Sequence, residues 1–351
     1  TCARPSRRRG SGAGVARAMK VAVLIVAFNS KGHLARQVAA LEAQTFRDFR
    51  AILIDNASRP EERPDPAQTP AWFTIVQSEA NLGFAAGNNR AAEVAGDVEF
   101  LALLNPDAFP EPTWLQELIA AASRWPHAAA FGSTQLLDAD PSKLDGAGDA
   151  LHAIGIPWRG GLGAPASSLP PEGETFAACG AAMLIRTADF NAVGGFDERF
   201  FCYVEDIDLG FRLRLLNRAT MQIPTAVVRH IGGGVSARGS AFADFLGARN
   251  RVWMHVKSMP ARLFWPLLPA HILITLLNLA INTLKGRTHG WRGLTAALAG
   301  LGPIWRERQT LRASRKAGMG AIAASLAWNP LLLFTRAPVI RRAWRDPPAQ
   351  P

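Results

Sequence analysis

The first half of the chain alternates short apolar runs with amphipathic stretches. Apolar runs predict strands at residues 21–28, 51–54, 74–76 and 100–104. Apolar positions at helical spacing predict helices at residues 33–44, 84–94 and 113–123. The first run has eight apolar residues without a break, which is typical of a strand buried on both faces. Strands that alternate with helices predict a βαβ sheet, whose ligands bind at the carboxyl ends of the strands.

The pattern continues less regularly up to residue 255. An apolar segment covers residues 128–137, a strand is predicted at 181–186, a helix at 206–216, and a short strand at 225–229 ending beside His230. Residues 155–175 are rich in Gly, Pro and Ser and predict a long loop. Trp158 and Arg159 within it can stack on a sugar or meet a phosphate, but an exposed loop pair is the favoured interpretation.

The character of the sequence changes after residue 255. Residues 263–284 form an apolar segment of 22 residues without Asp, Glu, Lys or Arg, which is long enough to span a bilayer. A second apolar run, at 321–334, is too short to span comfortably. The first segment also contains prolines and polar residues, so an in-plane or re-entrant helix is at least as well supported as a spanning one. These residues are Pro266, Pro269, His271, Asn278 and Asn282.

Composition and charge support a folded body with a basic tail. The 351 residues are 48% hydrophobic, which excludes a largely disordered chain. Three cysteines, Cys2, Cys179 and Cys202, are too few for a disulfide framework, so a reducing compartment is expected. From Lys257 onward there are 14 basic and 2 acidic residues, whereas residues 19–255 have 20 basic and 26 acidic ones. The predicted organisation is a disordered leader at 1–18, a catalytic domain at 19–255 and a basic, apolar, helical region at 256–351.

The basic tail has three interpretations. Its basic residues flank apolar runs, and tryptophans recur beside them, which favours association with a membrane surface. The alternatives are an ordinary helical subdomain packed on the body and a nucleic-acid-binding tail. The tryptophans concerned are Trp253, Trp265, Trp291, Trp305 and Trp328.

Carboxylates mark the ends of several predicted elements. Asp55 and Asp107 each end a strand, and Asp206 and Asp208 begin a helix beside Glu205. Carboxylates that converge on one sheet edge suit a divalent cation and a diphosphate. The Gly/Asn-rich turn around residues 81–89 allows backbone to approach a nucleotide closely, but it matches neither a Walker loop nor a dinucleotide fingerprint.

These segments together resemble family 2 glycosyltransferases, over about residues 20–257, and most closely the bacterial rhamnosyltransferase branch of that family. The order and spacing of seven segments carry the resemblance, with Arg249-Asn250 before the tail also typical of the branch. The segments are Ala27-Phe28-Asn29, Asp55-Asn-Ala-Ser58, Asn81-Leu-Gly-Phe-Ala-Ala-Gly-Asn-Asn89, Leu104-Asn-Pro-Asp107, Gly194-Gly-Phe-Asp-Glu198, Glu205-Asp-Ile-Asp-Leu209 and the late His230.

The resemblance implies a GT-A fold, that is, an α/β Rossmann-like mixed sheet, and an inverting mechanism with Mg²⁺ or Mn²⁺. It implies that Asp206 is the general base, that Asp107 and His230 hold the metal, and that Asn105 stands at a position where the family usually has an Asp. The acceptor side would comprise Cys179, Gly180, Glu205 and Asp208. The donor side would comprise Ala27, Phe28, Asn29, Asp55, Asn56, Asn81, Gly83, Phe84, Gly87, Asn88, Asn105 and Asp107.

Each of these positions also has a structural interpretation. Asp55 and Asp107 can cap turns, His230 can be a structural histidine, Asp208 can start a helix, and small residues such as Gly180 can allow close packing.

The expected activity is transfer of a sugar, most plausibly L-rhamnose from dTDP-rhamnose, to a glycan acceptor linked to polyprenyl diphosphate. The expected setting is bacterial surface polysaccharide synthesis, such as O-antigen or cell wall, at the cytoplasmic face of the inner membrane, with no nucleic acid as partner. A UDP-sugar donor and a non-catalytic membrane scaffold stay open as alternatives. A nucleotidyltransferase is disfavoured, because residues 27–30 lack the basic, Gly-rich phosphate loop that such enzymes need.

Overall fold

The computed structural model describes residues 19–232 and 239–342. The leader expected at 1–18 lies outside the described residues.

The described residues form twelve strands and eleven α-helices. The strands are β1 Val21–Ala27, β2 Phe49–Asp55, β3 Phe73–Gln77, β4 Phe100–Leu104, β5 Ala108–Pro110, β6 Ala128–Leu137, β7 Asp140–Ala147, β8 Asp149–Leu151, β9 Pro157–Arg159, β10 Gly173–Thr175, β11 Ala182–Arg186 and β12 Ala219–His230. The helices are α1 Lys31–Glu42, α2 Gly83–Ala95, α3 Trp114–Arg124, α4 Thr187–Ala192, α5 Glu205–Leu215, α6 Ala241–Ser258, α7 Ala261–Leu284, α8 His289–Ala299, α9 Leu301–Ser314, α10 Met319–Ser325 and α11 Leu332–Thr335.

A ten-stranded mixed sheet forms the centre of the molecule. Its main order is β10-β12-β6-β11-β4-β1-β2-β3, with β5 beside β12 and β7 beside β6. Strands β3, β2, β1 and β4 run parallel, while β11 is antiparallel to both β4 and β6. The parallel half places the carboxyl ends of β1, β2 and β4 at one edge, where Ala27 is level with Asp55. The predicted βαβ arrangement is confirmed for this half.

Strand β1 is buried on both faces, as its unbroken apolar run predicts. Val21, Val23 and Ile25 join the core that contains α1 and α3, whereas Ala22 and Leu24 join the core that contains α2. Both sets of side chains are fully buried. Two-sided burial fixes the register of β1 and therefore the position of the loop that follows it.

The segment predicted as a long loop is instead ordered, and it carries β9 and β10. Trp158 is only 6% exposed and donates a hydrogen bond from Nε1 to the carbonyl of Ala337 at 3.0 Å. The Gly161 amide donates to the carbonyl of Arg336. The C-terminal segment thus covers this stretch, so the expectation of an exposed Trp158–Arg159 pair is wrong.

Helix α6 crosses the domain boundary predicted at residue 255. It continues to Ser258 and packs against α8 and α9. A third core cluster combines side chains from α5, α6, α7 and the helices that follow, including Phe211, Trp253 and Phe264. The C-terminal helices therefore share a core with the sheet-bearing part, and Trp253 belongs to that core rather than to a surface.

Helix α7 is the one described helix that is long and apolar enough to cross a membrane, by length and composition. One narrow face is buried, through Phe264, His271, Thr275 and Leu279. Most of the remaining surface is apolar and exposed, including Leu273 at 68% and Leu284 at 88%.

The close crossing of α6 and α8 gives a test of the fold. A Cβ atom on Gly293 would collide with the carbonyl oxygen of Phe245 and lie 3.1 Å from Cβ of Ala248. We expect Gly293→Ala to lower the free energy of unfolding by about 1–3 kcal/mol, measured by urea denaturation, because backbone cannot move aside as a flexible side chain would. Gly302→Ala is the matched control, since a Cβ there meets nothing within 4 Å. Equal stability of the two variants would contradict this packing.

Candidate active site

A cavity of about 810 Å³ opens at the carboxyl ends of the parallel strands. It brings together most of the residues that the sequence singled out, from segments that are far apart along the chain. Those that line it are Phe28, Asn29, Asn56, Asn81, Gly83, Phe84, Asn105, Asp107, Cys179, Gly180, Glu205, Asp206 and His230.

Three predicted site residues have other roles. Gly87 packs against Val26 inside the α2–β1 contact, and the Asn88 side chain donates to the carbonyl of Phe84 within α2. Asp208 is fully buried beneath the site, where it accepts hydrogen bonds from Arg212 Nε at 2.8 Å and from Lys257 Nζ at 2.9 Å. None of the three lines the cavity, and their assignment to the donor or acceptor side stays a prediction.

Asp55 and Ala27 lie behind the cavity wall. Asp55 is fully buried, and its Oδ1 accepts the Ser58 amide at 3.3 Å. Its Oδ2 has no hydrogen-bond partner among the described residues. A buried carboxylate oxygen without a donor is costly, so a ligand N–H would be a favourable partner if the wall opened to it.

Two asparagines shape the loop beneath one end of the cavity. Asn56 Nδ2 donates to Asn81 Oδ1 at 2.9 Å, and Asn56 Oδ1 accepts the Leu82 amide at 2.7 Å. Gly83 follows with φ +78°, and a Cβ there would lie 2.6 Å from the Phe201 ring. Only glycine fits this position, which explains the Asn-x-Gly pattern seen in the sequence.

A chain of three polar side chains forms one side of the cavity. His230 Nε2 lies 3.2 Å from Asp107 Oδ1, and His230 Nδ1 lies 2.8 Å from Asp145 Oδ2. Burial alone would lower the pKa of His230, but its hydrogen bonds to Asp107 and Asp145 outweigh burial and raise it. Asn105 Nδ2 is 3.4 Å from the same Nε2. Asp145 thus orients the imidazole toward Asp107.

The opposite side of the cavity holds Asp206, in the first turn of α5. Its Oδ2 accepts the Gly180 amide at 3.1 Å, and its Oδ1 accepts the Ile207 amide at 2.8 Å. Burial raises the pKa of Asp206, while these amides and Arg159 act to lower it. In adjacent Glu205, burial and the charge of Asp206 raise the pKa well above its usual range. The pKa of Asp206 is raised overall and that of Glu205 is raised further, so Asp206 is the member of the pair that loses its proton more readily.

Arg159 connects the two sides, and sequence reasoning missed its role. Its Nη1 donates to Asp145 Oδ2 at 2.5 Å and its Nη2 to Cys179 Sγ at 3.0 Å. Among the described residues that line the cavity, it is the only Lys or Arg. One signal was present: no other Lys or Arg occurs between Lys143 and Arg186. Asp145, equally unpredicted, has no local pattern that distinguishes it from a surface strand residue.

Asp149, Cys179 and Asp206 also lie close enough to suggest a metal site, with donor atoms within 4.8 Å of one another. The Arg159 guanidinium already occupies this neighbourhood through Cys179. Burial raises the pKa of the Cys179 thiol to about 12, so it stays protonated at neutral pH. A metal cation here would lie against the positive charge of Arg159, which disfavours metal binding at this group.

The loop before Asp206 adopts a strained conformation. Phe201, Tyr203 and Val204 all have positive φ, between 64° and 70°, although none is glycine. All three line the cavity. Asn250 of α6 holds the loop through Nδ2, which lies 2.8–2.9 Å from the carbonyl oxygens of Phe200, Cys202 and Tyr203. Strain of this kind persists only where surrounding contacts impose it, and here they fix the entry to α5.

The arrangement has a clear chemical capacity. One side offers a carboxylate that can accept a proton, and the other offers an Asp–His pair whose free positions suit a divalent cation. An arginine between them can attract an anionic ligand. The cavity thus suits proton removal from one reactant next to a bound, negatively charged leaving group.

Comparisons with known proteins agree with this chemistry. The family model described as Glycosyl transferase family 2 matches residues 22–190. N-acetylglucosaminyl-diphospho-decaprenol L-rhamnosyltransferase of Mycobacterium tuberculosis is 31% identical over 234 residues, covering 59% of this chain and 75% of that protein. O-antigen biosynthesis protein RfbC of Myxococcus xanthus is 29% identical over 260 residues, covering 68% of this chain and 20% of that protein.

A solved structure is similar over much of the chain. The crystal structure of GalNAc-T7 with UDP, GalNAc and Mn²⁺ superimposes with a TM-score of 0.55 at 16% identity, covering 78% of this chain and 58% of that one. At this identity the similarity concerns the fold.

Proposed function

The chain belongs to glycosyl transferase family 2, in its rhamnosyltransferase branch and with the GT-A fold, and from this premise we propose that it transfers L-rhamnose from dTDP-rhamnose to a polyprenyl-diphosphate-linked glycan. The observation that carries the proposal is the position of Asp206, a partly exposed carboxylate at the cavity wall whose two oxygens each accept a backbone amide.

The proposed reaction is a single displacement with inversion at the anomeric carbon. Asp206 takes the proton of the acceptor hydroxyl as its oxygen attacks that carbon. The bond from the carbon to the donor diphosphate breaks, and the nucleoside diphosphate leaves with the bonding electrons. Burial and the charge of Asp206 raise the pKa of Glu205 well above its usual range, which disfavours a second negative charge beside the attacking oxygen.

The proposed donor and acceptor rest on fewer observations than the enzyme class does. Two relatives favour it: one is a rhamnosyltransferase whose name specifies an N-acetylglucosaminyl-diphospho-decaprenol acceptor, and the other is an O-antigen biosynthesis protein. No single residue of the cavity identifies rhamnose, so a UDP-sugar donor is the competing proposal. A non-catalytic scaffold is disfavoured, because such a role would not require a carboxylate fixed by two backbone amides at the wall of the cavity.

Asp107 and His230 are the proposed ligands of a divalent cation. A carboxylate oxygen and an imidazole nitrogen face one another across 3.2 Å, and the second imidazole nitrogen is fixed by Asp145, as is common behind metal-binding histidines. The donor set fits the cation that the family implies, with Asn105 adding no charge. When bound, the cation would neutralise the diphosphate of the donor.

The first test measures transfer by the full chain to a short-chain polyprenyl-diphosphate GlcNAc acceptor. The donors are dTDP-rhamnose, UDP-GlcNAc, UDP-glucose and GDP-mannose, with Mg²⁺ or Mn²⁺. We expect product from dTDP-rhamnose, and a loss of at least about 100-fold in kcat for Asp206→Asn, because the amide cannot accept the proton. Calorimetry should show that this variant still binds donor.

Asp140→Asn is the matched control, since Asp140 pairs with Lys143 at the surface. Loss of donor binding in Asp206→Asn would place Asp206 in the nucleotide or metal site instead. Product from a UDP-sugar alone would keep the enzyme class and overturn the rhamnose proposal.

Arg159 is proposed to keep Asp206 ionised. Several groups face Asp206: Glu205 on its own helix, Asp149, Cys179 and Cys202 from neighbouring segments, and Arg159. Of these only Arg159 carries a positive charge, and it opposes the effect of burial. A base must be deprotonated to act, so the rate should rise with pH through the pKa of Asp206.

We expect Arg159→Met to shift the acid limb of the kcat/KM profile to higher pH, because removal of the cation raises the pKa of Asp206. The loss should be largest at acidic pH and shrink as pH rises. Arg159→Lys should restore part of the profile, and Arg90→Met, at an exposed i,i+3 pair, should leave it unchanged. A uniform loss at every pH would show that Arg159 acts through donor or acceptor binding alone.

A second proposal concerns location: the chain binds the cytoplasmic face of the bacterial inner membrane through α7 lying in the membrane plane. The middle of α7 is tied to the rest of the protein, since His271 Nδ1 lies 2.8 Å from the Ile154 carbonyl oxygen and Arg251 Nη2 donates to Thr275 Oγ1 at 3.3 Å. A helix held along one face cannot cross a bilayer while the body stays in water, but its exposed apolar face can enter the lipid surface.

To test this location, we expect Leu273→Glu combined with Leu276→Glu to weaken binding to phosphatidylglycerol-containing vesicles at least tenfold in a sedimentation assay. Both leucines are exposed, and burying a leucine in an apolar phase contributes about 1.5–3 kcal/mol. Met19→Glu, at an exposed residue before β1, is the matched control. Unchanged binding of the double variant would rule out this face of α7, and resistance of bound wild type to alkaline carbonate would indicate a spanning helix.

A further inference from the structure

A second cavity, of about 340 Å³, lies where α7 begins, between α6, α7 and α9. Four arginines line it: Arg262, Arg308, Arg312 and Arg315. No Asp or Glu is among its lining residues in the described part of the chain. We call it the arginine pocket. Lys257 also lines it, but its ammonium is paired with Asp197 at 2.6 Å and with Asp208 at 2.9 Å.

The positive charge of the arginine pocket is not compensated by the protein. Arg262 and Arg312 have no hydrogen-bond or carboxylate partner within the described ranges. Arg308 donates only to the backbone carbonyls of Val256 and Met259, at 2.6 and 2.5 Å. Burial and the charge of Arg312 lower the pKa of Arg308 to about 10, as expected for a cation next to another cation without an anion. An anion in the pocket would relieve this repulsion.

Backbone geometry adds to this preference. Pro260 is the N-cap of α7, and the amides of Leu263 and Phe264 both donate to its carbonyl. The amides of Ala261 and Arg262, which line the pocket, are left at the positive end of a 24-residue helix. Helix N-termini favour anions, and phosphate is a common one.

Aromatic side chains lie next to the arginine pocket, around its lining residue Arg308. Trp265 is 58% exposed and Trp305 is 38% exposed, with ring centroids 6.1 Å apart, and the Arg308 guanidinium lies 4.3 Å from the Phe264 ring centroid. Trp265 is on the exposed face of α7 that continues through Leu273 and Leu276. An anion that enters here therefore sits beside a surface suited to acyl chains.

We infer that the arginine pocket binds the phosphate of an anionic phospholipid headgroup. This inference rests on the proposed membrane location and adds a specific site to it. The positive charge of the pocket favours a phosphodiester as its ligand. The continuous apolar face beside it favours a lipid, because free phosphate or nucleic acid would leave that face in water.

The arginine pocket is an anchoring site rather than part of the active site. The far end of α7 returns to the start of α6, where Arg287 pairs with Asp244, close to Phe242 at the wall of the main cavity. A helix of 24 residues is about 36 Å long. The arginine pocket and the main cavity share no lining residue, so a headgroup in the pocket does not occupy the place of the acceptor.

The test compares two double variants that remove the same charge. Arg312→Gln with Arg315→Gln empties the pocket of two cations, and Arg292→Gln with Arg306→Gln removes two exposed arginines outside it. Binding of the full chain is measured by sedimentation with phosphatidylcholine vesicles containing 20% phosphatidylglycerol, and with pure phosphatidylcholine vesicles. Melting temperatures and transfer to a soluble short-chain acceptor serve as controls for folding and catalysis.

We expect the pocket variant to lose at least tenfold in affinity for the anionic vesicles, while the other variant loses less than threefold. Both should bind neutral vesicles as wild type does, since α7 is intact, and both should keep the transfer rate. Equal losses would overturn the inference in favour of diffuse charge attraction. No loss in either variant would overturn it as well.

A third measurement distinguishes a lipid headgroup from free inorganic phosphate as the ligand of the arginine pocket. If millimolar inorganic phosphate stabilises wild type but not the pocket variant, and the two bind anionic vesicles equally, the site takes free phosphate and the lipid assignment is wrong. Failure of wild type to bind any vesicle would remove the membrane proposal together with this one. The transferase proposal would stand in that case, because its assay needs no vesicle.

Discussion

One buried cation, Lys257, determines how the catalytic loop and the C-terminal helices fit together. Its side chain is fully buried, and its ammonium lies within 3 Å of carboxylates on Asp197 and Asp208. A buried ammonium without such partners would cost several kcal/mol, so the end of α6 must meet the first turn of α5. Asp206 is two residues before Asp208 on that turn, and its position follows from the same contact.

Helix α6 also contacts the loop that precedes Asp206, the proposed base. Asn250 holds three carbonyls of the loop that precedes α5, two turns before Lys257 on the same helix. The helix continues into the turn that starts α7 and packs on α8 and α9. The sheet-bearing part and the basic tail are therefore one structural unit, joined by polar contacts at the active site as well as by a shared apolar core.

The sequence predicted some parts of this structure better than others. The parallel half of the sheet follows from local periodicity, since a strand such as β1 must bury both faces, and the segments at the strand ends identified most of the cavity wall. The contact between Arg159 and Asp145 was not predictable, because it depends on β7 and β9 coming together although the two residues are 14 positions apart in sequence. Asp208 does not line the cavity, and the sequence could not show this, because a carboxylate that starts a helix looks the same whether it faces a ligand or a buried lysine. The boundary predicted at 255 lies inside α6, because charge changes there while the helix continues to Ser258.

The positive φ angles of Phe201, Tyr203 and Val204 show that this loop serves ligand contact as well as folding. Glycine would adopt the same backbone angles without steric cost, so a loop optimised for folding alone would have glycine at these positions. Side chains there instead supply part of the wall of the main cavity. The molecule therefore accepts a less favourable backbone in order to present a large surface to its ligand, and folding stability and ligand contact place opposite demands on these three residues.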